Sequence, residues 1–142
     1  MNSSRLSADE AYNELCCYTM TLGDGSFIHQ HVVDAYCAQT YTVEDKPIGF
    51  VFALVGLYLH VEMGFTGKQV QLAHMKLAKR KQEWPRLAIP KQRGDTTAIE
   101  VIASGVGPDR DRMIHIWCES VWKANSENAE AVQNLLEQNS II

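Results

Sequence analysis
The sequence predicts an all-α fold, a single-domain bundle of six or seven helices joined by short loops and covering residues 1–142. Three observations carry that expectation. Apolar side chains recur at three- and four-residue intervals in nearly every segment, the repeat that lines one face of a helix. Matched start and stop signals bracket those segments. Strict alternation of apolar and polar residues, the mark of a half-buried strand, is confined to "AIEVIA" at 98–103. With 46% hydrophobic and 21% charged residues, the 142-residue chain has apolar material for one core and no surplus for a second.

Ser7 and Glu10 open the first helix as a capping box, each side chain serving the other residue's backbone N–H, and Gly23 offers a left-handed stop. Between them Ala11, Tyr12, Leu15, Tyr18, Thr19 and Leu22 form the inward stripe, with Cys16 at its edge and Cys17 facing away. Ser26 reads as the cap of a second helix that runs to about Tyr41. Pro47 stands in the first turn of a third, where its missing N–H is harmless, and Gly64 ends it. That helix is apolar nearly all round, so it must have neighbours on most sides.

Thr66 and Gln69 form a second capping box. The helix they open buries Val70, Ala73, His74 and Leu77, and Trp84-Pro85 is its expected stop. Thr97 with Glu100 suggests a short helix through Ala103, with a strand left open there by the alternation. Pro108 begins "PDRDRMIHIWCESVWKA", whose Asp109 and Asp111 oppose the positive end of the helix dipole. Met113, Ile114, Trp117 and Val121 are its core stripe, while His115 and Trp122 project to another side. Asn125-Ser126 restarts the chain as a final helix with Ala129, Val132 and Leu136 inward.

Several function classes lose ground on composition. The opening "MNSSRLSADE" has no apolar stretch behind a basic one, so it reads as neither a secretory signal nor a transit peptide, and a cytoplasmic protein is the expectation. "PIGFVFALVGLYLHV" (47–61) is interrupted by His60 and falls short of the roughly 20 residues of a membrane span. Cys16, Cys17, Cys37 and Cys118 form no CxxC pair, so buried free thiols are expected rather than a redox motif or zinc knuckle.

Positive charge is concentrated between residues 68 and 93, eight Lys and Arg against one Glu, within a chain of net charge −4. Late lysines favour the negative end of a helix dipole, so a solvated helix face accounts for this segment. An acidic chain with no aromatic-interleaved basic stripe argues against nucleic acid as a partner. Gly67-Lys68 lacks the glycine spacing of a P-loop. A Cys16 or Cys37 nucleophile has neither a strand-turn-helix elbow nor an oxyanion signature to support it. Arg110, near the core stripe of its helix, is expected to pair with an internal carboxylate.

The chemistry-bearing residues concentrate in "GDGSFIHQHVVDAYCAQ" (23–39). At about 100° per residue, His29 and His31 lie about 200° apart and cannot share one ion on a regular helix. His31 and Asp34 are neighbours on one flank, where they could hold a metal or fix a tautomer; His29 lies on the other flank near Val33 and Tyr36. Folding helices three and four back to back about Gly64 would bring His60 and His74 to facing surfaces. The ligand-binding candidates are therefore His29, His31, Asp34, Tyr36, His60 and His74. Of these His31, Asp34, His60 and His74 are the set for a divalent transition metal, with Cys16 and Glu62 in reserve. No HxxxH or ExxH spacing makes such a site explicit. The balance between metal ligation and ordinary hydrogen bonding across the core favours the latter.

"ELCCYTMTLGDGSFIHQHVVDAYCAQ", "KPIGFVFALVGLYLHVEMGFTGKQVQLAHMKLA" and "WCESVWKA", in that order, resemble an uncharacterised bacterial domain family of unknown function over most of the chain. Members of that family carry a proline before the Ser-Phe-Ile-His run where this chain has Gly25. The resemblance implies no activity, substrate or cofactor, but it marks the histidines and Asp34 as motif positions. The function expected is a small-molecule or metal-binding pocket, enzymatic or not, among helices one to four. The alternative is a non-catalytic binding or assembly module, a homo-oligomer included, that uses exposed aromatics such as Trp84 and Trp122 or the basic segment 68–93.

Overall fold
In the computed structural model, residues 6–142 are described. Residues 1–5, on which half of the reading of the amino-terminal segment rests, lie outside them. The helices are α1 (Ala8–Met20), α2 (His29–Thr40), α3 (Pro47–Met63), α4 (Gly67–Ala78), α5 (Ala98–Ala103), α6 (Pro108–Ala124) and α7 (Ala129–Gln138), with a 3-10 turn at Ser126–Asn128 before α7. No strand occurs among the described residues, so "AIEVIA" is a helix, fixed by the Thr97–Glu100 capping box. Each of the seven helices falls on a segment that the periodicity marks as helical, and the largest difference in extent is at the end of α4.

α3 is the hub. Phe50, Val51, Leu54, Val55, Leu57 and Leu59 are buried on it, and α2, α4, α6 and α7 pack around it. α1 lies across α2 and α5. Two glycines permit close approaches. A Cβ on Gly56 would stand 1.9 Å from Asp34 Oδ2, and one on Gly67 would stand 1.8 Å from the Phe27 carbonyl oxygen. Any other residue would have to displace the buried Asp34 side chain at the first place and the Ser26–Phe27 backbone at the second.

Three expected details differ. Ser26 does not cap α2, which begins at His29 behind Ile28 with no side-chain cap; the Asp24 carboxylate instead caps the turn ahead of it, accepting from the backbone N–H groups of Ser26 and Ile28. α4 stops at Ala78, well before Trp84-Pro85. Arg110 meets no carboxylate; its guanidinium donates to the carbonyls of Ile102 and Ser104 and lies over the Tyr18 ring.

Between α4 and α5 the chain runs as a long extended strap held by side-chain amides. Gln82 and Asn139 exchange reciprocal bonds of 3.0 and 3.2 Å, and Asn128 bonds both the N–H and the C=O of Ala88. Arg93 donates to the Ala38 and Tyr41 carbonyls at the end of α2, and Gln39 donates to the Arg93 and Thr96 carbonyls. Lys76 and Arg80 likewise donate to carbonyls at the end of α7. Three of the eight basic residues of the segment, Lys76, Arg80 and Arg93, thus cap the carboxyl ends of α7 and α2, where positive charge is favourable.

Candidate functional site at the α2–α3–α6 junction
α2 and α3 run antiparallel, so His31 meets His60 and, one turn on, Asp34 meets Gly56. The His31 and His60 rings stack with centroids 3.6 Å apart and planes tilted by 22°. α6 closes the third side. His115 meets His60 edge to face, its Nδ1 3.1 Å from His60 Nε2, and its own Nε2 lies 3.4 Å from Glu119 Oε2 one turn along the helix. Three imidazoles from three helices thus make an unbroken series from the buried His31 to the exposed His115 and Glu119.

Local sequence sets this up. Gly64, at φ +72, ends α3 with its N–H on the His60 carbonyl and the next N–H, of Phe65, on Leu59, the paired bonds of a left-handed helix stop. That turn swings the Phe65 carbonyl back to within 3.0 Å of His60 Nδ1. A carbonyl oxygen only accepts, so His60 Nδ1 carries the hydrogen, and in the neutral ring Nε2 is a bare lone pair aimed at His115. Burial lowers the His60 pKa, with the neighbouring His115 adding to the effect, and so favours that neutral ring. His31 is pushed down to about 3, first by burial and then by His60 and His115 beside it.

With His60 Nε2 a bare lone pair, His115 Nδ1–H donates to it across 3.1 Å, and the other His115 nitrogen is left exposed at 3.4 Å from the exposed Glu119 carboxylate, too loose to be a hydrogen bond. The outer end of the series is therefore a ring nitrogen beside a carboxylate, both open to solvent.

Asp34 is the second unusual group. Its Oδ1 accepts from Gln30 Nε2 at 3.0 Å, and its buried Oδ2 has no partner. Complete burial raises its pKa well above the usual carboxylate range, against a smaller opposing effect of the Gln30 bond. The carboxyl group lies against the α3 backbone at Gly56, where burial favours its neutral form.

The remaining candidates do not join this junction. His29 contacts the Thr19 hydroxyl at 2.8 Å, between α2 and α1. His74 Nε2 donates to the Phe52 carbonyl at 2.7 Å, two turns along α3 from His60. Tyr36 stacks on Tyr12 and donates to the Asp9 carboxylate. The expected metal set is therefore dispersed: His31 and His60 touch, while Asp34 occupies the next layer and His74 another face of α3. Among the described residues no group of three His, Cys, Asp or Glu side chains is arranged to hold a metal ion.

At the other positions singled out in the sequence and not yet described, only the exposure of Trp122 is corrected. The Lys68 N–H is used by the Ser26 carbonyl, so the start of α4 offers no open phosphate cradle there. Trp122 is buried, edge-on to Tyr58, with its indole N–H on Glu62, so it is no docking surface. All four cysteines are free, and burial raises the pKa of Cys16, Cys37 and Cys118, the reverse of an activated thiolate.

His115 and Glu119 are the residues that sequence reasoning left out. Their i, i+4 spacing in "HIWCE" puts them on one helix face and was the available signal, but which helix that face meets is decided by tertiary structure.

No helix among the described residues is long and apolar enough to cross a membrane. No curated protein and no solved structure matches the chain. The sequence model of the family of unknown function (DUF5946) matches residues 7–126, taking in α1 to α6 and with them every side chain of the imidazole junction, and the chain belongs to that family.

Proposed function
We propose that the domain is a ligand-binding domain whose working site is the imidazole junction of α2, α3 and α6, serving a small molecule or ion taken by imidazole nitrogens and the Glu119 carboxylate. The observation that carries this reading is the meeting of three imidazoles from three helices, His31, His60 and His115, in one series that opens to solvent beside the Glu119 carboxylate. Stability alone does not call for three imidazoles in contact, because apolar side chains of similar volume fill such an interface with no polar nitrogen to satisfy. The buried neutral carboxyl of Asp34 one layer below adds to the case, since perturbed titratable groups cluster at working sites.

A fragment screen read on the ring Hε1 signals of the five histidines tests it, using small organic acids, amines and divalent ions as probes. The expected result is that at least one probe moves the His31, His60 and His115 signals together while His29 and His74 stay still. Perturbations confined to His29 or His74, or no response of any histidine to any probe, would overturn the reading.

A second reading, an assembly module, keeps one supporting observation: Leu72 and Met75 stand more than half exposed on the outer face of α4. Light scattering tests it, with a dimer weakened by Leu72→Ser as the expected outcome.

A further inference from the structure
We infer that the junction is a two-imidazole site for a divalent transition metal, with His60 Nε2 and His115 Nδ1 as its protein ligands; this deepens the proposed function and rests on it. The geometry of both rings fits ligation. His60 donates its other ring N–H to the Phe65 carbonyl, and the second nitrogen of His115 faces the Glu119 carboxylate. A carbonyl or carboxylate on the far nitrogen is the outer arrangement that orients a metal-bound imidazole and strengthens it as a donor. The two remaining nitrogens lie 3.1 Å apart. Two imidazoles on one tetrahedral ion, at about 2.0–2.1 Å each, have nitrogens about 3.3–3.4 Å apart with the ion to one side of the line between them, so the spacing suits a shared ion once the exposed His115 ring swings to aim its lone pair beside that line.

His31 is a positioning residue. Its buried ring lies flat against His60 and fixes the plane in which the Nε2 lone pair points. Because the protein supplies two ligands, the other coordination positions fall to water or to a substrate, which is the property of an open site. Neutral nitrogen donors select zinc, nickel or copper over magnesium or calcium, whose sites are built from oxygen. Asp34, His74 and His29 take no part.

The test uses the full chain, stripped with a chelator and then freed of it, in a Cys17→Ser background because the exposed Cys17 thiol is a competing donor. Zinc and nickel are titrated calorimetrically, with magnesium as control. The inference expects one equivalent of zinc or nickel and none of magnesium. It expects His115→Ala, a surface substitution, to weaken binding at least tenfold, Glu119→Gln by about tenfold, and His74→Gln not at all. Binding that is absent, or that survives His115→Ala unchanged, overturns it. A fragment screen that moves the three ring signals while zinc does not bind would leave the site reading standing and remove the metal, whereas silence in both experiments removes both.

Discussion
The strap and the imidazole junction are both polar networks laid against the same bundle, and they differ in whether their bonds close. Under the strap nearly every donor finds its acceptor. Gln82 and Asn139 pair reciprocally, Asn128 satisfies both backbone groups of Ala88, and Gln39 accepts from the Trp117 indole while donating to two carbonyls. Of the strap's buried side-chain atoms only Arg93 Nε lacks a partner. At the junction the count fails. Buried Asp34 Oδ2 is unpartnered, and the series His60–His115 ends at an exposed ring nitrogen 3.4 Å from Glu119, too far to be a hydrogen bond. A closed network holds a long irregular segment in one conformation; an open one is a place where something is still to be bound.

That contrast can be broken most severely at Gly56. Gly56→Ala drives a methyl into Asp34 and forces α2 from α3, and we expect a loss of about 3 kcal/mol in urea unfolding. Gly25→Ala, where nothing lies within 4 Å of the new atom, should change stability little. Recovery of part of the loss in a Gly56→Ala, Asp34→Ala double variant would locate the clash. Next in size, Asn128→Ala leaves the Ala88 N–H and C=O without partners and should cost about 2 kcal/mol, with faster amide exchange along the strap.

Asp34→Asn should act in the opposite direction at neutral pH. The raised pKa of Asp34 means the folded chain keeps a proton that the unfolded chain has released. The stability this gives is complete below the ordinary value of 3.8 and is lost as pH rises toward the raised folded value. An amide removes that dependence, so the variant should gain on the natural chain steadily between pH 5 and pH 8 in paired urea melts. A constant difference across that range would mean the carboxyl is ionised in the fold. The smallest effect belongs to His115→Gln, which we expect to stay within about 0.5 kcal/mol of the natural chain, as exposed positions do. A large loss there would make the junction structural, like the strap.

Much of the fold was legible because helices announce themselves locally. The boxes at Ser7, Thr66 and Thr97, the proline at position 47 and the left-handed Gly64 all lie within a few residues of what they control. The Asp24 cap was missed because an aspartate four residues ahead of Ile28 acts through a loop rather than through the helix repeat. The junction was half legible. Spacing separated His29 from His31 correctly, since they reach α1 and α3 from opposite flanks. The partner of His60, however, was sought on the next helix in sequence. His74 lies there but answers to the Phe52 carbonyl, while His115 arrives from 55 residues away. Capping is local information, but the crossing of α6 over α3 depends on how whole apolar faces fit, and no short motif records it.

Long-range proton–nitrogen spectra of the histidine rings, taken on metal-free chain at neutral pH, test the central claim most directly. The account predicts His60 as a neutral ring with its hydrogen on Nδ1, and scalar coupling between its Nε2 and His115 Nδ1, as a single shared proton requires. A His60 ring with hydrogen on Nε2 and a bare Nδ1 facing Phe65, or no coupling between the two rings, would contradict the account.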